Sequence, residues 1–285
     1  MSDVIQMLAL PFLASIILGT ILGYLGTHVL RREVIFIDIS LAQFAAVGSL
    51  AAHLAFEAHE GSLLEYTCAF AFICAAALFY AWTRKKIYQI SLEVIIGVSY
   101  AIAFAAALFM VGISAGGHVH VQEMLAGGLL WVTYTDIILC SAFFVLIGLC
   151  FFIFRRPFNR ISNNYDQALS EKVNVVWWDF LFYALMGIVI TLSVRVAGVI
   201  MVFAYLIIPA TITSLFTLRF AWQFTIIITV LTISSLAGLL FAYYLGFSLG
   251  PPIGMFMGVI LIIVAVVRRL LSRTPAQSKT VITQN

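Results

Sequence analysis

The chain has 285 residues, of which 64% are hydrophobic and only 9% are charged, and its formal net charge is +3. A soluble domain carries about 25% charged residues, so this composition excludes a soluble fold. The basic residues fall in a few short connections between apolar runs, so the small positive charge does not indicate nucleic-acid binding.

Long apolar runs predict an all-α fold, a polytopic membrane bundle of eight or nine transmembrane helices. A spanning helix needs about 20 apolar residues, and the runs lack the alternation of barrel strands. The connection Val196-Ala197 is very short, so an eight-span arrangement with one re-entrant segment stays open. The predicted spans are 7–29, 34–56, 63–82, 92–113, 132–154, 178–195, 198–218, 222–245 and 252–271.

The basic residues sort to one side of these spans. With the N-terminus outside, every Lys and Arg except Arg195 lies on the cytoplasmic side. The positive-inside rule therefore predicts an N-out, C-in protein. Residues 1–271 form the predicted transmembrane domain, and residues 272–285 a polar, disordered cytoplasmic tail.

The predicted outer face carries carboxylates and imidazoles, a composition that attracts cations and can bind transition metals. His118, His120 and Glu123 form its densest group. Acidic outer loops also follow from the positive-inside bias alone, so this alternative stays open. The outer residues are Asp3, Glu57, Glu60, Glu65, Glu123 and Asp136 with His53, His59, His118 and His120.

Asp38 is an ionisable residue inside the second predicted span, where such residues usually face a pathway or a partner. Gln43 could add a carbonyl ligand, but five residues on a regular helix rotate by about 140°, so the two side chains converge only if the helix is distorted. Asp38 could instead be solvated at the inner interface or pair with Arg31 or Arg32. For His28, at the end of the first span, helix-dipole or snorkelling contacts suffice.

The longest polar stretch, residues 155–177, is predicted to lie on the cytoplasmic side. Asn164 or Asp166 could cap a short helix there, and this helix is either a surface connection or a docking element for a cytoplasmic partner. Its apolar strip would contain Ala168, Leu169 and Val173, with Lys172 beside them.

Small residues and prolines predict features inside the spans. Gly19, Gly23 and Gly26 indicate close helix contacts, and Pro209 predicts a break or kink in the seventh span. The sequence has no Walker motif, GxSxG or HExxH. We therefore expect a non-enzymatic protein, and any pumping must draw on a partner or an ion gradient.

Three segments resemble the permeases of zinc/manganese/iron ABC transporters, the ABC-3 family. VAGVIMVFAYLIIPA, residues 196–210, is similar to the family's proline-containing stretch. LEVIIG, residues 92–97, resembles its acidic residue four positions before a glycine. NYDQAL, residues 164–169, resembles the loop that forms the family's coupling helix.

The resemblance implies a homodimeric permease in the bacterial plasma (inner) membrane, with two cytoplasmic ATP-binding subunits and an extracytoplasmic metal-binding protein as partners. The transported divalent metal, with zinc favoured, would be cargo, and no permanently bound cofactor is expected. The coupling loop implies contact with the ATPase through Asn164, Tyr165, Asp166, Ala168 and Leu169.

One segment departs from the family pattern. The family's second span carries an aspartate four residues before a histidine, whereas Gln43 stands at the histidine position here and the aspartate is displaced by one, to Asp38. We expect either a rearranged site that uses Asp38, Gln43 and the outer histidines, or a different substrate.

Three other functions remain open on the sequence. A proton-coupled secondary cation carrier would use Asp38 and need no ATPase. A membrane-embedded metal hydrolase would use His118 and His120. A non-transporting scaffold would not need Asp38 at all.

Overall fold

The computed structural model describes residues 2–56, 62–86, 90–113, 127–171, 173–216 and 220–272. These residues form helices joined by short connections, with no strand among them. The helices are α1 Ser2–Arg31, α2 Ile37–Phe56, α3 Leu63–Lys86, α4 Leu92–Ile113, α5 Tyr134–Ile153, α6 Arg155–Asn163, α7 Tyr165–Ser170, α8 Val175–Ala197, α9 Val199–Phe216, α10 Phe220–Leu245 and α11 Gly250–Ser272, with a 3₁₀ turn at Leu129–Trp131.

Nine of the described helices, all except α6 and α7, are long and apolar enough to cross a membrane. This confirms the predicted all-α bundle and favours nine spans over eight. The connection between the sixth and seventh spans, whose shortness suggested an eight-span arrangement, is indeed short, because Gly198 alone separates α8 from α9. Gly198 has a φ of +81°, a conformation that glycine adopts without strain. Of the predicted tail, Ser272 still belongs to α11, and residues 273–285 lie outside the described chain.

Eight of the nine spans pack in two groups that share one continuous apolar core, and α5 packs against α1 and α8. In the first group α1 packs against α9 and α10, and α11 packs against the same two helices. In the second group α2 packs against α3 and α4, while α8 lies against α3 and α2. The helix α8 also contacts α1 and α9, so it connects the two groups.

Glycines allow the closest helix contacts, as the sequence predicted. A Cβ atom on Gly26 would overlap the carbonyl oxygen of Leu206, so the backbones of α1 and α9 touch there. A Cβ on Gly48 would lie 2.8 Å from the Cα of Ala69, which places α2 directly against α3. In lipid, close approach of this kind drives helix association.

Pro209 lies inside α9, which runs as one helix from Val199 to Phe216, so the helix is not broken at this residue, and the predicted kink stays a prediction. Spanning helices tolerate proline because neighbouring helices and Ser or Thr side chains compensate for the lost backbone bond. The side chain of Pro209 is itself buried against the bundle. Pro251 and Pro252 lie in the first turn of α11, where proline fits a helix start.

The end of the bundle where α1 and α3 finish and α2 and α8 begin is called the basic end here. Arg32 and Arg84, from the ends of α1 and α3, both contact Asp179 in the first turns of α8, which shows that these termini meet. The two short helices α6 and α7 also lie at the basic end, between α5 and α8.

We predict that Gly26→Ala destabilises the folded protein by about 1–3 kcal/mol, since the added methyl group forces α1 away from α9. The midpoint of thermal unfolding in detergent measures this loss. The matched control is Gly148→Ala in α5, where a Cβ atom meets nothing within 4 Å. It should leave the midpoint unchanged or raise it slightly, because alanine has the better helix propensity. Equal midpoints for the two variants would contradict the close contact.

Candidate functional site

Asp38 lies in the first turn of α2, at the basic end, and only 2% of its surface is exposed. Its Oδ1 atom is buried and has no hydrogen-bond partner among the described residues. Both structural alternatives for this residue are wrong. The carboxylate is not solvated, and the neighbouring arginines bind elsewhere, Arg32 to Asp179 and Arg31 to Asn163. A buried acceptor without a partner is costly, so it is the kind of group that a cation would satisfy.

Gln43 is also buried, with 3% of its surface exposed, but it does not join Asp38. The helix α2 is continuous through both residues, so their side chains leave it about 140° apart and the distortion needed for convergence is absent. The described part of the chain contains no group of three His, Cys, Asp or Glu side chains placed to hold a metal ion. A metal site at Asp38 therefore needs further ligands besides the described His, Cys, Asp and Glu side chains.

The far end of α2 carries a second polar group. The Nε2 atom of His53 lies 3.9 Å from Oε2 of Glu65 on α3, and Ser49 donates to Oε1 of Glu65 at 2.7 Å. Ser49 follows Asp38 by eleven residues, a rotation of about 20°, and His53 lies about 60° from Asp38, so the three share one side of α2. One helix thus carries potential cation ligands near both of its ends.

The predicted outer group of His118, His120 and Glu123 lies outside the described residues. Its role stays a prediction.

The helix predicted within residues 155–177 is confirmed as α7. Asn164 caps it, with Oδ1 accepting a hydrogen bond from the backbone N–H of Gln167 at 3.0 Å. The helix ends at Ser170, earlier than the predicted strip, and Val173 packs beside it after the chain has left the helix. Lys172, from the same strip, is outside the described residues.

The helix α7 has a packed side and an open side. Ala168 is fully buried against Ile161 of α6 and Val175 of α8, and Tyr165 and Leu169 are partly buried around them. The exposed residues are Asp166, Gln167 and Ser170. A short helix that is anchored on one side and polar on the other can serve as a docking surface.

Sequence reasoning missed Asp179, which is fully buried in α8 between two arginines. An acidic residue in an apolar run was the available signal, the same that drew attention to Asp38. For His28 the snorkelling prediction is wrong, because the residue is 2% exposed and its Nδ1 lies 3.1 Å from Oγ of Ser162 in α6. His28 lies in the last turn of α1, so the helix-dipole contact stays a prediction.

Comparisons with known proteins agree with this architecture. The sequence model of the ABC 3 transport family matches residues 4–268. The high-affinity zinc uptake system membrane protein ZnuB of Haemophilus influenzae is 22% identical over 85% of this chain and 90% of its own length. The manganese transport system membrane protein MntC of Halalkalibacterium halodurans is 22% identical over 80% of this chain and 76% of its own length.

A solved structure shows the same fold. PsaBC from Streptococcus pneumoniae in complex with Fab superposes with a TM-score of 0.77 at 19% identity, covering 96% of this chain and 98% of that chain. With the family match over nearly the whole sequence, the chain belongs to the ABC 3 transport family and is a membrane permease subunit of an ABC transporter.

Proposed function

We propose that this chain is the permease subunit of an ABC importer for a divalent transition metal, with zinc favoured over manganese and iron. The observation that carries the ATP-driven mechanism is α7, a capped helix at the basic end with one side packed on the bundle and a polar side exposed. A proton-coupled carrier would need no such element. The names of the relatives supply the cargo class, since they include zinc and manganese systems.

The proposed orientation is N-out and C-in, in the bacterial plasma membrane. It places the basic end in the cytoplasm, as the positive-inside rule requires. The open side of α7 then faces the ATP-binding subunits, two for each permease homodimer, and ATP-driven closure of these subunits switches access across the membrane. The permease itself contributes no ATP-binding motif.

The proposed cargo path begins at the opposite end of the bundle. A metal-binding protein docks around residues 57–65 and 118–123, where His118, His120 and Glu123 offer imidazole and carboxylate ligands. Glu65, at the end of the first of these ranges, lies 3.9 Å from His53 of α2. The path then follows the side of α2 that carries Asp38, whereas Gln43 leaves the same helix about 140° away from it.

A second candidate is the same permease with a non-metal substrate. It is favoured by one observation, namely that the described residues bring no three metal-binding side chains together. The displaced aspartate and the glutamine at the family's histidine position point the same way.

We predict that Asp38→Asn lowers metal uptake at least about tenfold, because the amide keeps the size of the side chain but removes the charge that binds a cation. The measurement is ATP-dependent uptake of zinc and of manganese into proteoliposomes that hold the permease, its ATPase and its binding protein. ATP hydrolysis by the same complex should persist, since Asp38 is buried in α2 and does not belong to the exposed side of α7.

The control for this variant is Glu33→Gln, which removes one negative charge from an exposed residue at the basic end. Full uptake in Asp38→Asn would show that Asp38 is not an essential ligand and would favour the outer histidines instead. Absence of zinc and manganese uptake by a wild-type complex that hydrolyses ATP would instead favour the non-metal substrate.

We also predict that Asp166→Arg weakens binding of the ATP-binding subunit at least about tenfold, because a reversed charge at a docking surface introduces repulsion or an unpaired group. Affinity of the detergent-solubilised permease for the purified subunit measures the effect. Glu33→Arg makes the same charge change at an exposed site on the basic end and should bind normally. Equal affinities for both variants would remove α7 from the docking surface.

A further inference from the structure

A buried ion cluster joins three spans at the basic end. One oxygen of Asp179, Oδ1, accepts a hydrogen bond from Nη1 of Arg32 at 2.6 Å, and Nη1 of Arg84 lies 3.2 Å from Oδ2. The side chains of Arg32 and Asp179 are fully buried, and that of Arg84 is 12% exposed. Arg32, Arg84 and Asp179, called the arginine–aspartate cluster here, come from the ends of α1 and α3 and the beginning of α8.

This cluster fixes the relative positions of the three spans. Separating a buried ion pair leaves an uncompensated charge in a low-dielectric environment, so the partners move together rather than apart. The guanidinium of Arg32 also stacks on the ring of Phe182 in α8, 3.9 Å from its centroid. A displacement imposed on one member is therefore transmitted to all three spans.

The cluster also contacts both short helices at the basic end. Nε of Arg32 donates to Oγ of Ser162 in α6 at 2.9 Å. The guanidinium of Arg84 lies over the ring of Tyr165, 4.2 Å from its centroid. Tyr165 is the first residue of α7, so Arg84 connects α7 directly to Asp179.

The Tyr165 contact lies on the packed side of α7, away from the polar residues that an ATPase would meet. Asp166 and Gln167 are exposed, whereas Tyr165 is partly buried and turned towards α3. A movement imposed on the exposed side would thus reach Arg84 through the Tyr165 ring. Because arginine presents a planar cation, this stacking also depends on orientation, and lysine would not reproduce it.

We propose that the arginine–aspartate cluster is the junction through which α7 moves α1, α3 and α8 during transport. Tyr165 and Arg84 form the link to α7, and Asp179 is the positioning residue that ties this link to the spans. The inference rests on the proposed function as an ATP-driven permease and adds the route by which movement of the ATPase reaches the spans.

The test compares Tyr165→Leu with Tyr165→Phe in the complex of permease, ATPase and zinc-loaded binding protein, reconstituted in lipid nanodiscs. Phenylalanine keeps the aromatic face beneath Arg84, and leucine removes it. Three quantities are measured, namely recovery of the ATPase subunit with the permease, basal ATP hydrolysis, and the stimulation of hydrolysis by the binding protein.

We expect both variants to assemble with the ATPase. Stimulation is expressed relative to each variant's own basal rate, so that a change in basal hydrolysis does not enter the comparison. Stimulation by the binding protein should stay normal in Tyr165→Phe and fall at least about fivefold in Tyr165→Leu, a typical size for coupling between two sites. Equal stimulation in the two variants would overturn the proposal. Loss of the ATPase subunit from Tyr165→Leu would also overturn it, because Tyr165 would then act in docking.

Arg84→Lys tests the same link from the other side, since lysine keeps a charge near Asp179 but loses the planar stacking on Tyr165. It should lower stimulation like Tyr165→Leu, and the double variant should be no worse than either single one, as expected for two residues of one link. Additive losses would contradict a shared route. If the wild-type permease does not bind the ATPase, both the proposed function and the junction are refuted. If the binding protein stimulates hydrolysis equally in the wild type and in the variants, only the junction is refuted.

Discussion

The bilayer interior offers no hydrogen bonds, and this constraint governs where each polar group of the protein can lie. Backbone groups must be satisfied within each segment, which leaves helices as the described spanning elements. Between helices, apolar burial gives little drive in lipid, so contacts depend on close backbone approach of the kind seen at Gly26 and Gly48. A buried charge is costly unless it is paired, and Asp179 is held between two arginines, whereas Asp38 keeps an oxygen without a partner among the described residues.

The two ends of the bundle take up the polar chemistry that its middle cannot hold. At the basic end a buried ion cluster and two short helices form a connected polar layer. Among the described residues at the opposite end, the contacts include a partly exposed His53–Glu65 pair and Arg195 bonded to the hydroxyl of Tyr66. A transport protein benefits from this difference, because force from a motor domain needs a tight junction while a cargo entrance must open to solvent.

The sequence was sufficient for features set by local pattern. Apolar run length predicted the spans, and the helix-capping preference of asparagine predicted the start of α7 at Asn164. Features set by distant contacts were missed. Asp179 and Arg32 are 147 residues apart, so their pairing has no local signature, and the burial of His28 depends on Ser162 in a helix that was not predicted. The opposite holds at Pro209, where a residue that disrupts helices locally lies inside a continuous helix because its surroundings accommodate it.

The composition of α2 affects where the proposed importer could select its cargo. In the family pattern an aspartate and a histidine four residues apart share one helix face. Here Asp38 and Gln43 offer only oxygen ligands, and they lie on different sides of α2. Oxygen ligands suit manganese, while imidazole suits zinc. If zinc is the cargo, its recognition then falls to the end of the bundle that bears His53 and to the binding protein, and Asp38 acts as a single counter-charge on the way through. Selectivity at the entrance with a weakly discriminating interior also favours release, because a path that bound zinc tightly along its whole length would retain it.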